Sequence, residues 1–284
     1  MMGLPTSAVV HGARLAAKTH GLPYDELDTT DIVSRFPGFR PCPDEVGIYE
    51  PIAGYLQVEA ALDALLSSAR EAGAVAHFNC TVQSLRSLPS HTVITTDRES
   101  IEARQVVLTV GAWLQEWWPT LPLDVERQVP VWFKARHATP LTSLPIYIRE
   151  QPETGIQVYG FPYLNGQGIK AGIHHGGTVS SVSDIDRHVH QQDIDQLASA
   201  LDFVPPIHPV EVQDARVCLY TNTPDGHFVI GRNPDWPTVV VAGGFPGHGF
   251  KFGPALGQLL VDVALHGRQA PYLFNPQRGR HGSL

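Results

Sequence analysis

Apolar positions change their period several times along this chain. Val58, Ala61, Leu62, Leu65, Leu66 and Ala69 fall on one helical stripe, which predicts a helix from about Tyr55 to Ala72, ended by Gly73. Ser7 to His20 alternates small apolar and basic residues and reads as an earlier helix, stopped at Gly21-Leu22-Pro23. Asp28-Thr29-Thr30-Asp31 is the cap of a second helix, Phe36-Pro37-Gly38-Phe39 a turn, and Gly47 to Glu50 a short strand. After the long helix, Ala74 to Cys80 reads as a strand with Val82 just beyond it. A hairpin-like region follows, His91 to Thr96 and then Ile101 to Val110. Gln105 to Val110 is a continuous apolar run, the pattern of a strand covered on both faces. Gly111-Ala112-Trp113 breaks that run and opens a helix through Trp118.

The pattern shifts to period two beyond Leu123. Val129–Phe133, Ile146–Arg149, Ile156–Phe161 and Gly168–Ile173 are short alternating runs among Pro, Gly and aromatic residues, as in an antiparallel sheet. A polar segment and a helix follow within Asp184 to Leu201, then a strand over Val210 to Tyr220. Phe228–Ile230 and Thr238–Ala242 are buried-type strands. The helix Gly253 to His266 closes the pattern with Gly267 as its C-cap, and the tail, Ser283 and Leu284 included, reads as loose. The fold class expected is α/β with α+β: a partial doubly wound domain, 51–116 with 218–284, interrupted by a mixed, largely antiparallel domain, 1–50 with 117–217. There are no internal repeats.

Composition narrows the function. At 284 residues with 43% hydrophobic and 17% charged residues, the chain can bury a large core. Its net charge of −8, with no Lys or Arg run, argues against nucleic acid or an anionic membrane as partner. Cys42, Cys80 and Cys218 are too far apart for a CxxC site or a disulfide framework, which fits a reducing, cytoplasmic setting. No apolar run reaches bilayer length, and the N-terminus lacks the pattern of a signal peptide. The fourteen histidines include His174-His175 and His188-Val-His190, but neither pair has metal-ligand spacing, so solvated or locally bonded rings are expected and no metal.

The chemistry concentrates between Cys218 and Gly257. A strand empties into Gly243-Gly244-Phe245-Pro246-Gly247-His248-Gly249-Phe250-Lys251, and a helix begins just after. Glycines let a ligand approach backbone, and a helix start offers free N–H groups and partial positive charge. These residues, with Lys170-Ala-Gly-Ile-His174, Cys218-Leu-Tyr220-Thr-Asn-Thr-Pro224-Asp225, Val110-Gly111-Ala112-Trp113, Tyr159-Gly160-Phe161-Pro162 and Thr81-Val82, resemble the monomeric sarcosine oxidase and N-methyltryptophan oxidase family. Those are FAD-dependent amine oxidases of the D-amino-acid-oxidase-like superfamily. The resemblance covers nearly the whole chain. It departs at Gly226 and Gly231, neither a catalytic position. It departs also in the GxGxxG unit that holds the FAD pyrophosphate, which follows no strand here; the chain reads as starting after it.

The resemblance implies roles residue by residue. Cys218 falls on the covalent flavin link and Lys170 on the lysine implicated in oxygen activation. His174, Tyr159 and Tyr220 fall on active-site side chains, Lys251 on the cation that anchors the substrate carboxylate, and Gly247 on backbone near the amine. Gly244, Phe250 and Lys251 lie at the isoalloxazine end of FAD, Val82 at the adenine, Gly111 and Trp113 at the dinucleotide turn. The implied partners are a small amino acid and O2, and the implied state is a monomer. Taken without the resemblance, Cys218 reads as a strand cysteine, the lysines as surface residues, the tyrosines as core aromatics and Trp113, Trp117 and Trp118 as packing. Two other functional readings stay open: a truncated, non-catalytic remnant unable to hold FAD alone, and a dehydrogenase that does not use oxygen, against which Lys170 argues. The sequence does not name the amine.

Overall fold

The computed structural model describes residues 1–134, 144–164, 166, 168–207 and 210–278; the tail with Ser283 and Leu284 lies outside them. The chain forms two compact units. One holds Met1–Tyr55, Glu126–Ser180 and Asp184–Leu219, the other Leu56–Val125, Ser181–Ser183 and Tyr220–Leu284.

The first unit is built on an eight-stranded sheet. Its order is Val212–Ala215, Val131–Phe133, Ile169–His174, Gln157–Phe161, Tyr147–Glu150, Met2–Gly3, Val46–Tyr49 and Asp25–Leu27. All neighbours are antiparallel except Met2–Gly3 beside Tyr147–Glu150. The period-two pattern sends Val131, Phe133, Tyr147, Val158, Ile169 and Ala171 into one core with Phe39, Leu197, Leu201 and Phe203. Ser7 Oγ caps the helix Ala8–His20 by accepting from Val10 N, and Gly21 ends it at φ 62°. A reciprocal Asp28/Asp31 capping box starts Thr29–Arg35.

One ion pair lies inside this core. Arg149 donates through Nε (2.8 Å) and Nη2 (3.2 Å) to the two oxygens of Glu45, with both side chains no more than 1% exposed. The guanidinium also lies 4.4 Å from the Phe203 ring centroid, and Glu45 accepts from Cys42 N. Every lone pair and proton therefore counts, because water cannot replace a lost partner.

The second unit holds a three-stranded sheet, Val229–Asn233, Trp236–Gly243 and Val106–Leu108, antiparallel then parallel. A separate meander, Val82–Ser87, Thr92–Thr96 and Ser100–Ala103, is tied to it where Thr238 Oγ1 meets Ser87 Oγ (2.8 Å) and Thr92 Oγ1 (2.6 Å). Leu114, Trp118, Leu121, Leu123, Val239 and Val241 form its core, and the helix Gly253–Leu265 packs on Val240.

Three expectations need correction. Ala74 to Cys80 forms no strand: Val75 and Phe78 are exposed and the segment has no ladder partner among the described residues, without which a β-prone run has nowhere to place its backbone groups. The helix expected from about Tyr55 to Ala72 is present over Val58–Glu71, and none of its apolar stripe is buried. Gln105 to Val110 is a strand only over Val106–Leu108, at the edge of its sheet, and is not covered on both faces, since Val107 is exposed. Val210 to Tyr220 splits into Val212–Ala215 and Cys218–Asn222. There the Asp214 carboxylate takes the Ala215 N–H and the Arg216 guanidinium, and the register shifts between Val212 and Asp214. The strand Val82–Ser87 was not foreseen beyond Val82.

Removing either partner of the buried pair, by Glu45→Gln or Arg149→Met, is expected to cost about 3–5 kcal/mol in urea unfolding, and the double change Glu45→Leu with Arg149→Met clearly less than the sum.

Candidate functional site

The same alternation that fills the first unit's core presents its other face as a chemical surface. Tyr159 and Phe161 on Gln157–Phe161, Lys170 and His174 on Ile169–His174, and Trp132 on Val131–Phe133 are all half-buried, while their chain neighbours Val158, Ala171, Val131 and Phe133 are buried. Register aligns them across three strands: Trp132 pairs with Lys170, Lys170 with Phe161, and Gly172 with Tyr159. The Tyr159 ring lies on Gly172, so close that a Cβ there would stand 2.5 Å from its Oη. Tyr159 thus crosses the strand between Lys170 and His174. The Lys170 ammonium lies 5.0 Å from the Trp132 ring centroid and 5.3 Å from that of Phe161.

His174 ends the strand with its ring 4.1 Å from that of His175. His175 and Gly176 both take the left-handed conformation, at φ 66° and 80°. The buried Glu126 carboxylate holds this turn. It accepts from Gly177 N (2.7 Å) and Gln128 Nε2 (2.6 Å), and His175 Nδ1 lies 3.3 Å away.

In the second unit, the strand Trp236–Gly243 runs into the glycine-rich turn. Gly244 (φ 60°) and Gly247 (φ 72°) need the left-handed region, and Cβ atoms there would strike Thr223 Cγ2 (2.8 Å) and the Tyr220 ring (2.6 Å). Gly247 N donates to Phe245 O at 2.7 Å, and His248 Nδ1 is bonded to Pro246 O at 2.7 Å. One 3₁₀ turn, Phe250–Phe252, leads to the helix Gly253–Leu265. That helix has Pro254 in its first turn, no side-chain cap and no acidic residue in the first turn; Gly253 N donates back to Phe250 O and Pro254 has no N–H, so what the helix start offers a ligand is its partial positive charge. Lys251 is exposed, its Nζ 5.4 Å from the Phe252 ring. The preceding turn is braced from behind. Arg278 donates to both oxygens of Asp225 (2.6 and 2.8 Å) and to Phe228 O and His227 O, and its hydrogen bonds hold the Asp225 carboxyl well below the usual carboxylate range.

Residues 6–263 match the model of one family, the FAD dependent oxidoreductases. The chain belongs to this family. It is 39% identical to the monomeric sarcosine oxidase of Streptomyces avermitilis over 288 residues, covering 98% of this chain and 75% of that protein. It is 31% identical to the N-methyl-L-tryptophan oxidase of Salmonella dublin over 281 residues, covering 98% and 74%. Among solved structures it superposes on the open form of NikD, an unusual amino acid oxidase essential for nikkomycin biosynthesis, with TM-score 0.80 and 26% identity over 95% of this chain and 74% of that one. The L-proline dehydrogenase of P. horikoshii shares the fold, with TM-score 0.80 at 17% identity. The chain is therefore a flavin-dependent oxidoreductase with a FAD-binding α/β fold.

The residues present fit one end of such a cofactor. Gly247 is exposed in the left-handed conformation, where no side chain covers its backbone, and the helix start, with no acidic residue in its first turn, suits the charge that gathers at the N1 and C2=O end of a flavin ring. The other predicted positions are dispersed. Cys218 is an exposed free thiol at the start of Cys218–Asn222, the strand that carries the chain from one unit into the other, and Tyr220 follows two residues on. Val82 is exposed at the start of its strand. Gly111 opens its 3₁₀ turn at φ 57°, and Phe250 is exposed. Of the three tryptophans read as packing, Trp118 is buried and Trp117 packs against the core, but Trp113 is 49% exposed, so packing does not account for it. His188 Nδ1 and His190 Nε2 both bond Asp186, as local bonding would have it, and among the described residues no group of three or more metal-type ligands occurs. Sequence reasoning missed Trp132, Phe161 and Glu126. For the first two a signal existed, since period two places them on the same face as Lys170.

Two cross-strand tyrosine–glycine contacts separate core from site. Gly160→Ala would press on the buried Tyr147 ring and is expected to cost about 1–3 kcal/mol. Gly172→Ala displaces only the half-buried Tyr159 and is expected to stay within about 1 kcal/mol in urea unfolding. Because the Asp225 pKa is lowered on folding, its stabilisation is present above the unfolded value and is lost as the pH falls through the folded one. Thermal melts of Asp225→Asn should therefore lie below wild type near pH 7, with the gap closing below about pH 4.

Proposed function

We propose that this chain oxidises a secondary amino acid of the sarcosine or N-methyl amino acid type with O2. Products are an imine that takes up water to give an aldehyde and a primary amine, together with H2O2. The observation that carries the reading is the placement of Lys170, Tyr159 and His174 on one half-buried sheet face, in a chain 39% identical to a monomeric sarcosine oxidase. FAD, when bound, accepts a hydride equivalent from the carbon beside nitrogen and passes the electrons to O2.

The chain's own residues bind, orient and tune. Lys251 pairs with the substrate carboxylate as a point charge, and the Gly247 backbone borders the amine. Tyr159, Tyr220 and His174 shape the substrate's surroundings. Lys170 presents a positive charge that favours negative charge arriving on oxygen. Gly244 and Phe250 serve the isoalloxazine end of FAD with Lys251; Val82, Gly111 and Trp113 serve the dinucleotide and adenine end; Cys218 is the covalent tether. In this assignment the second unit is the FAD-binding one and the first the substrate unit, and the protein acts as a cytoplasmic monomer. The name of the Streptomyces relative supports the monomer, and among the described residues no helix is long and apolar enough to cross a membrane.

A second reading, a chain unable to hold FAD alone, draws on one observation: the helix Val58–Glu71 leaves Leu62, Leu65 and Leu66 exposed in the second unit.

Acid denaturation separates the two. Yellow flavin retained on the denatured protein and lost in Cys218→Ala supports the oxidase with its tether; a colourless, aggregating product supports the second reading. In flavin-loaded protein, Lys251→Ala is expected to raise KM for a carboxylated amine by about tenfold or more. An unchanged KM would remove Lys251 from the anchor role.

A further inference from the structure

We propose that Trp132 and Phe161 form an aromatic clamp that positions the Lys170 ammonium. The function of the clamp rests on the role assigned to Lys170 above, but its existence does not.

Three observations carry it. First, the register puts the three residues in one row. Trp132 is the cross-strand partner of Lys170 on one side and Phe161 its partner on the other, so both rings flank the lysine on the same face. Second, Nζ lies within cation–π range of both centroids, 5.0 and 5.3 Å. Third, among the described residues no carboxylate pairs with Lys170. Simple packing does not explain these rings, because Val131, Phe133, Val158 and Ala171 already fill the core on the opposite face.

The choice of aromatic faces over a carboxylate has a chemical consequence. A lysine on a flexible four-carbon stem must be ordered to act at one point. A carboxylate would order it but cancel its charge and take up its N–H groups. Ring quadrupoles attract the cation while leaving its full charge and its three donors to a water or to reduced oxygen. The neighbouring Arg216 guanidinium, 5.4 Å from the same indole, is different: it is paired with Asp214 at 2.8 Å. Of the two cations at Trp132, Lys170 is the one left uncompensated.

The chain has four lysines, Lys18, Lys134, Lys170 and Lys251, which makes a test without cofactor practical. In protein labelled with 13C at lysine Cε, the Lys170 methylene resonance, assigned by its loss in Lys170→Arg, is expected to be shifted upfield by ring currents. Trp132→Leu should return it toward the exposed-lysine position, and Trp132→Phe should keep part of the shift. An unshifted Lys170 resonance, or one that Trp132→Leu leaves in place in a variant with native urea unfolding, overturns the clamp. In flavin-loaded protein, Trp132→Leu is expected to slow reoxidation by O2 by about tenfold. Anaerobic reduction by substrate should be unchanged, and Trp132→Phe should restore most of the oxygen rate. Equal slowing of both half-reactions overturns the positioning role. If Lys170→Met leaves reoxidation at the wild-type rate, the role given to Lys170 is what fails, and the resonance still decides the clamp.

Discussion

The structure depends on the cross-strand pairing of tyrosine with glycine in the first unit's sheet. Tyr147 lies on Gly160 within the core, and Tyr159 lies on Gly172 on the opposite face. Each ring takes the space a Cβ would occupy. A slip of one residue would set both rings against residues with side chains and turn Val158, Ile169 and Ala171 out of the core. The buried Tyr147–Gly160 contact therefore pins the register, and the half-buried Tyr159–Gly172 contact on the other face agrees with it. Register in turn is what brings Lys170, Tyr159, His174, Trp132 and Phe161 to one surface. The buried Glu45–Arg149 pair belongs to the same sheet, with Arg149 on the Tyr147–Glu150 strand next to the one that bears Tyr159 and Glu45 just before Val46–Tyr49.

The second unit solves a different problem. It must present backbone rather than side chains, and it does so with left-handed glycines packed onto Thr223 and Tyr220 and an uncapped helix start. Such a turn is cheap to deform unless braced. Gly244 packs on Thr223 and Val229 and Gly247 on the Tyr220 ring, while the bidentate Arg278–Asp225 pair fixes the separate segment between Thr223 and Phe228. The two units differ in what they present: the first has half-buried side chains on a sheet face, the second a glycine turn leading into a helix start.

Much of this was legible in the sequence where a pattern has a local cause. Period two marked the strands around Tyr159 and Lys170, Ser7 and Asp28 marked their helix starts, and the glycine run marked its turn. What stayed hidden depends on partners that lie far away along the chain. The stripe of Val58–Glu71 announces an apolar face but not whether anything covers it. Ala74 to Cys80 has strand composition and no strand to pair with. The bend at Asp214 comes from a side chain competing for backbone N–H, which composition alone does not reveal. Trp132 and Phe161 look like core residues until pairing sets them on either side of a lysine. Roles at Cys218, Lys170 and Lys251 came from resemblance to a family, and no period or spacing would have named them.

We propose that this chain oxidises a secondary amino acid at the expense of O2. The most direct measurement mixes flavin-loaded protein with N-methylated amino acids in aerated buffer and follows aldehyde and H2O2 together. Both products are expected in equal amounts, matching the oxygen consumed. Loaded protein that forms neither product with any N-methyl amino acid, or forms aldehyde without consuming oxygen, would contradict it.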